Sequence, residues 1–156
     1  MPIKHGLGYI LGDEGSGSWF GRRLLAAHIY GILPEELERS FREKYQTGKE
    51  QAIHAVYHGK DPNVYLASFA PFLSEHRSHP MIQKLVLQGM TEFFETNVKS
   101  YPQCYSHPVH FVGSIAWNFR DTLKHIAREA GIQTGNIIQK PVHGLAQYFI
   151  NGGKMP

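Results

Sequence analysis

At 156 residues the chain has the length of one domain, for which roughly 100–200 residues is usual. It is long enough to bury a core without disulfide or metal staples. Hydrophobic residues at 42% and charged residues at 19% exclude an intrinsically disordered chain. The formal charge of +3 is too small for a nucleic-acid footprint, and the basic residues of the second half (Lys84, Lys99, Arg120, Lys124, Arg128, Lys140 and Lys154) are scattered.

A single cysteine, Cys104, excludes an internal disulfide and any paired-thiol zinc motif. Apolar runs are only a few residues long, too short to span a bilayer. The segment from Lys4 to Leu11 is cut by Asp13 and Glu14 before it could serve as a secretory core. The cytoplasm is the expected location, with neither membrane nor nucleic acid as partner.

Taken in order, Leu7 to Leu11 reads as a short strand ending at Gly12. Helix signals follow for about ninety residues. Residues 16–30 carry Phe20, Leu24 and Ala27 on one face and stop at Gly31. Residues 34–46 begin with Pro34 and repeat Leu33, Leu37, Phe41 and Tyr45, with Glu35 and Glu36 early and Arg42 and Lys44 late, as a helix dipole favours. A shorter helix over 49–58 closes at Gly59, and Asp61-Pro62 opens another that Pro71 must kink or split at Ala70. Residues 80–101 carry the strongest apolar periodicity, and Gly89 on that face marks a close helix crossing.

The last third changes character. A turn over Pro102–Pro108 leads into a strand at Val109–Val112. Gly113-Ser114 forms a turn and N-cap, and a helix runs over 115–130 to Gly131. A second strand covers 136–139, and Pro141 and Gly144 punctuate the start of a final helix to about Ile150. Two strands joined by a helix should pair in parallel with a right-handed crossover. The expected class is α/β with a large helical insertion.

Three places could carry chemistry. Ligands in open α/β sheets gather at the carboxyl ends of strands, which here are the joints at Val112-Gly113-Ser114 and at Lys140 to Gly144. Each offers free N–H groups at a helix start, suited to a nucleotide phosphate, and Gly113 would admit a flat ring close to the backbone. For either joint taken alone a plain helix cap is the simpler account, because caps are commonplace. The third place is Gly12-Asp13-Glu14-Gly15-Ser16-Gly17, which is neither a Walker loop nor a dinucleotide fingerprint. Its carboxylates suit polyol hydroxyls, base chemistry, a metal, or simply the start of a helix. The histidine pairs His76/His79 and His107/His110 lack the carboxylates or thiols that would complete a metal site, so no metal ligand is assigned. Cys104 has no activating neighbour in sequence.

Gly6-Leu7-Gly8-Tyr9-Ile10-Leu11-Gly12-Asp13-Glu14-Gly15-Ser16-Gly17-Ser18-Trp19-Phe20-Gly21 resembles the substrate segment of the N-acetylglucosamine kinase and BadF/BadG-type ATPase family. Phe111-Val112-Gly113-Ser114-Ile115-Ala116 is similar to that family's adenosine segment, and Pro141 to Leu145 to its last nucleotide-side loop. The resemblance implies a ribonuclease H-like domain of the actin-like ATPase superfamily. Residues 1–156 would be one C-terminal domain, with the N-terminal partner domain, its phosphate loop and its catalytic base lying outside this chain. Gly6, Leu7, Gly8 and Asp13 would bind an amino sugar, while Gly113, Ser114 and Gly144 would bind ATP accompanied by Mg2+. No catalytic residue would belong to this chain, and the chain alone would be inactive. The resemblance leaves three activities open: a sugar kinase, an ATPase that activates a partner enzyme, and a non-catalytic domain of the same fold. A strand at Leu7–Leu11 with a free edge would invite pairing with the missing half or with a second copy.

Overall fold

The computed structural model describes residues 7–142 and 149–150. The chain divides into two compact units, Met1–Ser100 and Tyr101–Pro156.

The first unit is helical. Its elements are a single turn α1 (Gly8–Leu11), α2 (Gly17–Ile29), α3 (Glu35–Tyr45), α4 (Lys49–Tyr57), α5 (Pro62–Ala67), α6 (Pro71–Glu75) and α7 (Pro80–Phe93). Local chemistry sets most of these boundaries. Ser16 caps α2 by accepting from the Trp19 N–H at 3.2 Å, and Gly31 follows the helix at φ +65°. Prolines occupy the first turn of α5, α6 and α7, where the missing N–H leaves no helical bond unmade. Pro71 splits the helix opened by Pro62, as its ring requires, with Ser68–Ala70 forming the turn between the halves.

Helix α2 is the spine, packed on α5 and α7. Phe20 and Leu24 are fully buried on it, and Phe41 of α3 stacks on Phe69 with ring centroids 5.5 Å apart and meets Phe72 edge-on at 5.3 Å. The crossing expected at Gly89 is present: a Cβ there would lie 2.6 Å from the Phe20 ring. His28 ties α2 to α3, its Nδ1 2.9 Å from Glu38 Oε2 and its Nε2 2.9 Å from the Thr47 carbonyl.

Two expectations in this unit give way. Leu7–Leu11 is not a strand: Gly8 takes φ +70°, the Gly12 N–H returns to the Gly8 carbonyl at 2.9 Å, and the segment closes as one helical turn. A strand needs a neighbour to take its backbone bonds, and this unit has none among its described residues. The expected strand edge therefore does not exist; Leu7, Ile10 and Leu11 are exposed instead as side chains. The helix over 80–101 is α-helical only to Phe93, after which Phe94–Val98 forms a π-helical turn.

The second unit begins with a 3-10 turn at Pro102–Tyr105 and contains β1 (Val109–Val112), α8 (Ser114–Asn118), α9 (Arg120–Glu129) and β2 (Thr134–Ile138). The strands pair in parallel, as expected, with Phe111 opposite Ile137 and a bulge between Val109 and Phe111. His110 folds over the bulge, its Nδ1 accepting from the Asn136 N–H at 2.9 Å. The helix expected over 115–130 is broken at Phe119, whose φ of −115° ends α8 and opens α9 while its ring is buried. The N-cap is Gly113, not Ser114, which is the first helical residue. Phe111, Leu123, Ala127 and Ile132 form this unit's core. Gly144 and most of the final helix lie outside the described residues, as does Gly6. Among the described residues no helix is long and apolar enough to cross a membrane.

Candidate functional site

The acidic loop between α1 and α2 is built tightly. Asp13 adopts φ +59°, a left-handed conformation that costs a non-glycine residue about 1–2 kcal/mol but that aspartate tolerates better than most. Gly15 turns the chain back at φ +72°, and the Ser16 N–H donates to the Asp13 carbonyl at 2.9 Å. Gly15 must also be small, because a Cβ would approach Phe93 Cβ to 3.0 Å and the Gly89 carbonyl to 3.1 Å. The loop thus lies directly on α7. Arg22 Nη1 donates to the Ile10 carbonyl at 2.8 Å, fastening the turn before the loop to α2.

A cleft of about 500 Å³ opens beside this loop, within the range of small-molecule sites. One wall carries Leu7, Asp13, Glu14 and Ser16. The facing wall comes from the end of α7 and the π-helical turn, with Phe93, Thr96, Asn97 and Ser100. Asp13 is exposed, and Glu14 is half-buried beneath it, accepting from Asn97 Nδ2 at 3.3 Å. Carboxylates, an amide and hydroxyls around one apolar ring suit a polyhydroxylated ligand, which needs both acceptors and donors and a flat surface. Among the described residues no group of three or more His, Cys, Asp or Glu is arranged to hold a metal.

Of the sequence-predicted site residues, Leu7 and Asp13 line this cleft, while Gly8 opens the turn leading to it. Gly113 and Ser114 belong to the second unit, at the joint from β1 to α8. Gly113 has φ +132° and ψ 161°, a region essentially reserved for glycine, and no atom would stand within 4 Å of a Cβ added there. Its N–H donates to the Ile138 carbonyl at 2.8 Å, so the strand ladder runs into the glycine before the helix begins. Gly6 and Gly144 fall outside the described residues. Sequence reasoning missed the facing wall altogether. Its one signal was the polar run Glu95-Thr96-Asn97 within an otherwise apolar helical pattern.

No protein-family model matches the chain, and no curated protein matches it. A solved structure does. The chain is 36% identical to a "putative N-acetylglucosamine kinase" from Porphyromonas gingivalis and superposes with a TM-score of 0.84 over 95% of its own length. It spans 52% of that protein's chain, so it corresponds to about half of it. Identity at this level together with a shared fold bears out the resemblance to N-acetylglucosamine kinases, with 95% of this chain similar to about half of that protein.

Proposed function

We propose that this chain is the sugar- and nucleotide-contacting C-terminal domain, of ribonuclease H-like and actin-like fold, of an ATP-dependent amino-sugar kinase acting in the cytoplasm. The observation that carries the reading is the similarity to that kinase-described protein over 95% of the chain, with the acidic loop lining a cleft of small-molecule size. Phosphoryl transfer is mostly positioning and charge stabilisation, so a domain without a base still contributes by holding both substrates. Asp13 accepts hydrogen bonds from ring hydroxyls, Leu7 covers an apolar face of the sugar, and Gly8 sets the turn that brings Leu7 there. Gly113 lets the adenosine lie against the backbone, where the space beside it is open, and Ser114 begins the helix beneath it. Gly6 and Gly144 complete the two sets. No residue of this chain is assigned to hold Mg2+, which would enter with ATP and offset the charge of its phosphates. The phosphate loop and catalytic base come from an N-terminal partner domain, so the chain assayed alone gives no turnover.

The test is Asp13→Asn in the protein that carries both domains. The substitution keeps the shape but turns one acceptor into a donor, and losing a charged hydrogen bond costs about 1.5–3 kcal/mol. The sugar KM rises tenfold or more while the KM for ATP stays put. An unchanged sugar KM would remove Asp13 from the sugar site, and ATP turnover that no amino sugar stimulates would replace this reading with that of an ATPase serving another enzyme.

A further inference from the structure

The hydrogen-bond donors facing Glu14 resolve by counting protons. Thr96 has one hydroxyl proton, and its Oγ1 lies 2.8 Å from the Glu92 carbonyl but 3.4 Å from Glu14 Oε2. The shorter bond takes the proton. Asn97 Nδ2 carries two protons and lies 2.8 Å from Thr96 Oγ1 and 3.3 Å from Glu14 Oε2. One proton serves each acceptor. The Glu14 carboxylate is therefore held through Asn97, with Thr96 orienting the amide that holds it.

The backbone explains how Asn97 comes to face the loop. Helix α7 gives way at Phe94–Val98 to a π-helical turn, in which the Lys99 N–H donates to the Phe94 carbonyl at 2.9 Å, five residues back. The wider turn buries Phe94 and Val98 while leaving Thr96 and Asn97 on the wall of the cleft. Such insertions occur frequently at functional sites because they re-aim a side chain without ending the helix. The contact of Gly15 with Phe93 and the Gly89 carbonyl brings the loop within reach of the amide.

We propose that Asn97 is the positioning residue of the sugar site: by holding Glu14 it fixes the Gly12–Ser16 loop in the left-handed conformation from which Asp13 meets the hydroxyls of a polyol. The proposal rests on the amino-sugar reading for its ligand, but its mechanical part does not. Asp13 stands between two anchors, the Ser16 N–H on its own carbonyl and the Asn97–Glu14 bond on the next residue. Releasing the second lets the strained residue relax, and the carboxylate loses its aim.

The experiment uses Asn97→Ala, Asn97→Asp and the double variant Glu14→Gln/Asn97→Asp in the complete protein. Two quantities are read: sugar KM against ATP KM, and amide hydrogen exchange over residues 13–16. Asn97→Ala raises the sugar KM severalfold, and Asn97→Asp, which sets two carboxylates against each other, raises it tenfold or more. Neither shifts the ATP KM, and both speed exchange in the loop. The double variant reverses the polarity of the bond, with an amide at position 14 donating to a carboxylate at position 97, and returns both readouts to within about twofold of wild type. A double variant no better than Asn97→Asp, or loop exchange unchanged in Asn97→Ala, overturns the proposal. Failure of the sugar reading is distinguishable, because ATP turnover is then stimulated by no amino sugar even in the wild type, while loop exchange still reports on Asn97.

Discussion

Helices α2 and α5 cross at Gly21, and the contact is closer than any side chain allows. A Cβ built on Gly21 would lie 1.7 Å from the Leu66 carbonyl oxygen and 2.7 Å from its carbon. The obstacle is backbone, so no rotamer change relieves it, and α5 would have to retreat by well over an ångström. That retreat would pull Leu66 away from α2, against which α5 packs and whose Phe20, Leu24 and Leu25 are core residues. Overpacking typically costs about 1–3 kcal/mol and more where backbone must move. Replacing a helical glycine by alanine returns about 1 kcal/mol of propensity. With the overpacking cost at the top of that range or above, the net loss for Gly21→Ala is at least about 2 kcal/mol, which for a chain of this size lowers the melting temperature by about 4–8 °C or more. Thermal unfolding followed by far-ultraviolet circular dichroism measures it. Two comparisons isolate the cause. Gly89→Ala meets aromatic rings, at 2.6 Å from Phe20 and 2.7 Å from Trp19, which can tilt, so its cost is smaller. Gly31→Ala has open space and loses only the ease of its φ of +65°, about 1 kcal/mol. A Gly21→Ala protein as stable as wild type, or stabilised by its better helix propensity, would refute the crossing as described.

Two further outcomes concern the nucleotide joint and the acid limb of stability. Gly113→Val, placed in a glycine-only backbone region beside open space, weakens ATP binding at least tenfold, about 1.4 kcal/mol. Calorimetry on a variant that retains its circular dichroism checks this, and unchanged affinity would put the nucleotide elsewhere. Burial acts most strongly on the Glu38 carboxyl and would raise its pKa, but the hydrogen bonds and charges of His28 and Arg42 together outweigh it and leave the value below the ordinary one. A carboxyl lowered on folding stabilises above its unfolded pKa, and that stability is lost as pH falls through the folded value. Glu38→Gln is therefore less stable than wild type at neutral pH, and the gap closes below about pH 4. A gap that stays constant across that range in urea titrations would mean that the charge on Glu38 contributes nothing.

What the sequence determined by itself was whatever neighbouring residues enforce on one another. The glycines at 31 and 131 and the prolines at 62 and 71 act within a turn or two, so the helix boundaries they set were legible. The parallel strand pair was legible too, since a helix between two apolar runs leaves few other pairings. The acidic loop could be read as a motif and placed before α2, because its glycines and its cap are contiguous. Only tertiary structure decided the rest. Leu7–Leu11 has strand-like composition but lacks a partner strand among the described residues of its unit, so its backbone bonds close locally into a turn. Phe119 breaks the helix over 115–130 although no glycine or proline stands there, and its ring lies buried. The pairing of the polar run Glu95-Thr96-Asn97 with the acidic loop could not be read, because Asn97 lies 83 positions from Glu14 and a single hydrogen bond across such a separation leaves no periodic trace. Gly21 looked like any helical glycine until Leu66 was found against it: sequence records which side chain is missing, and only the packed fold shows what fills its place.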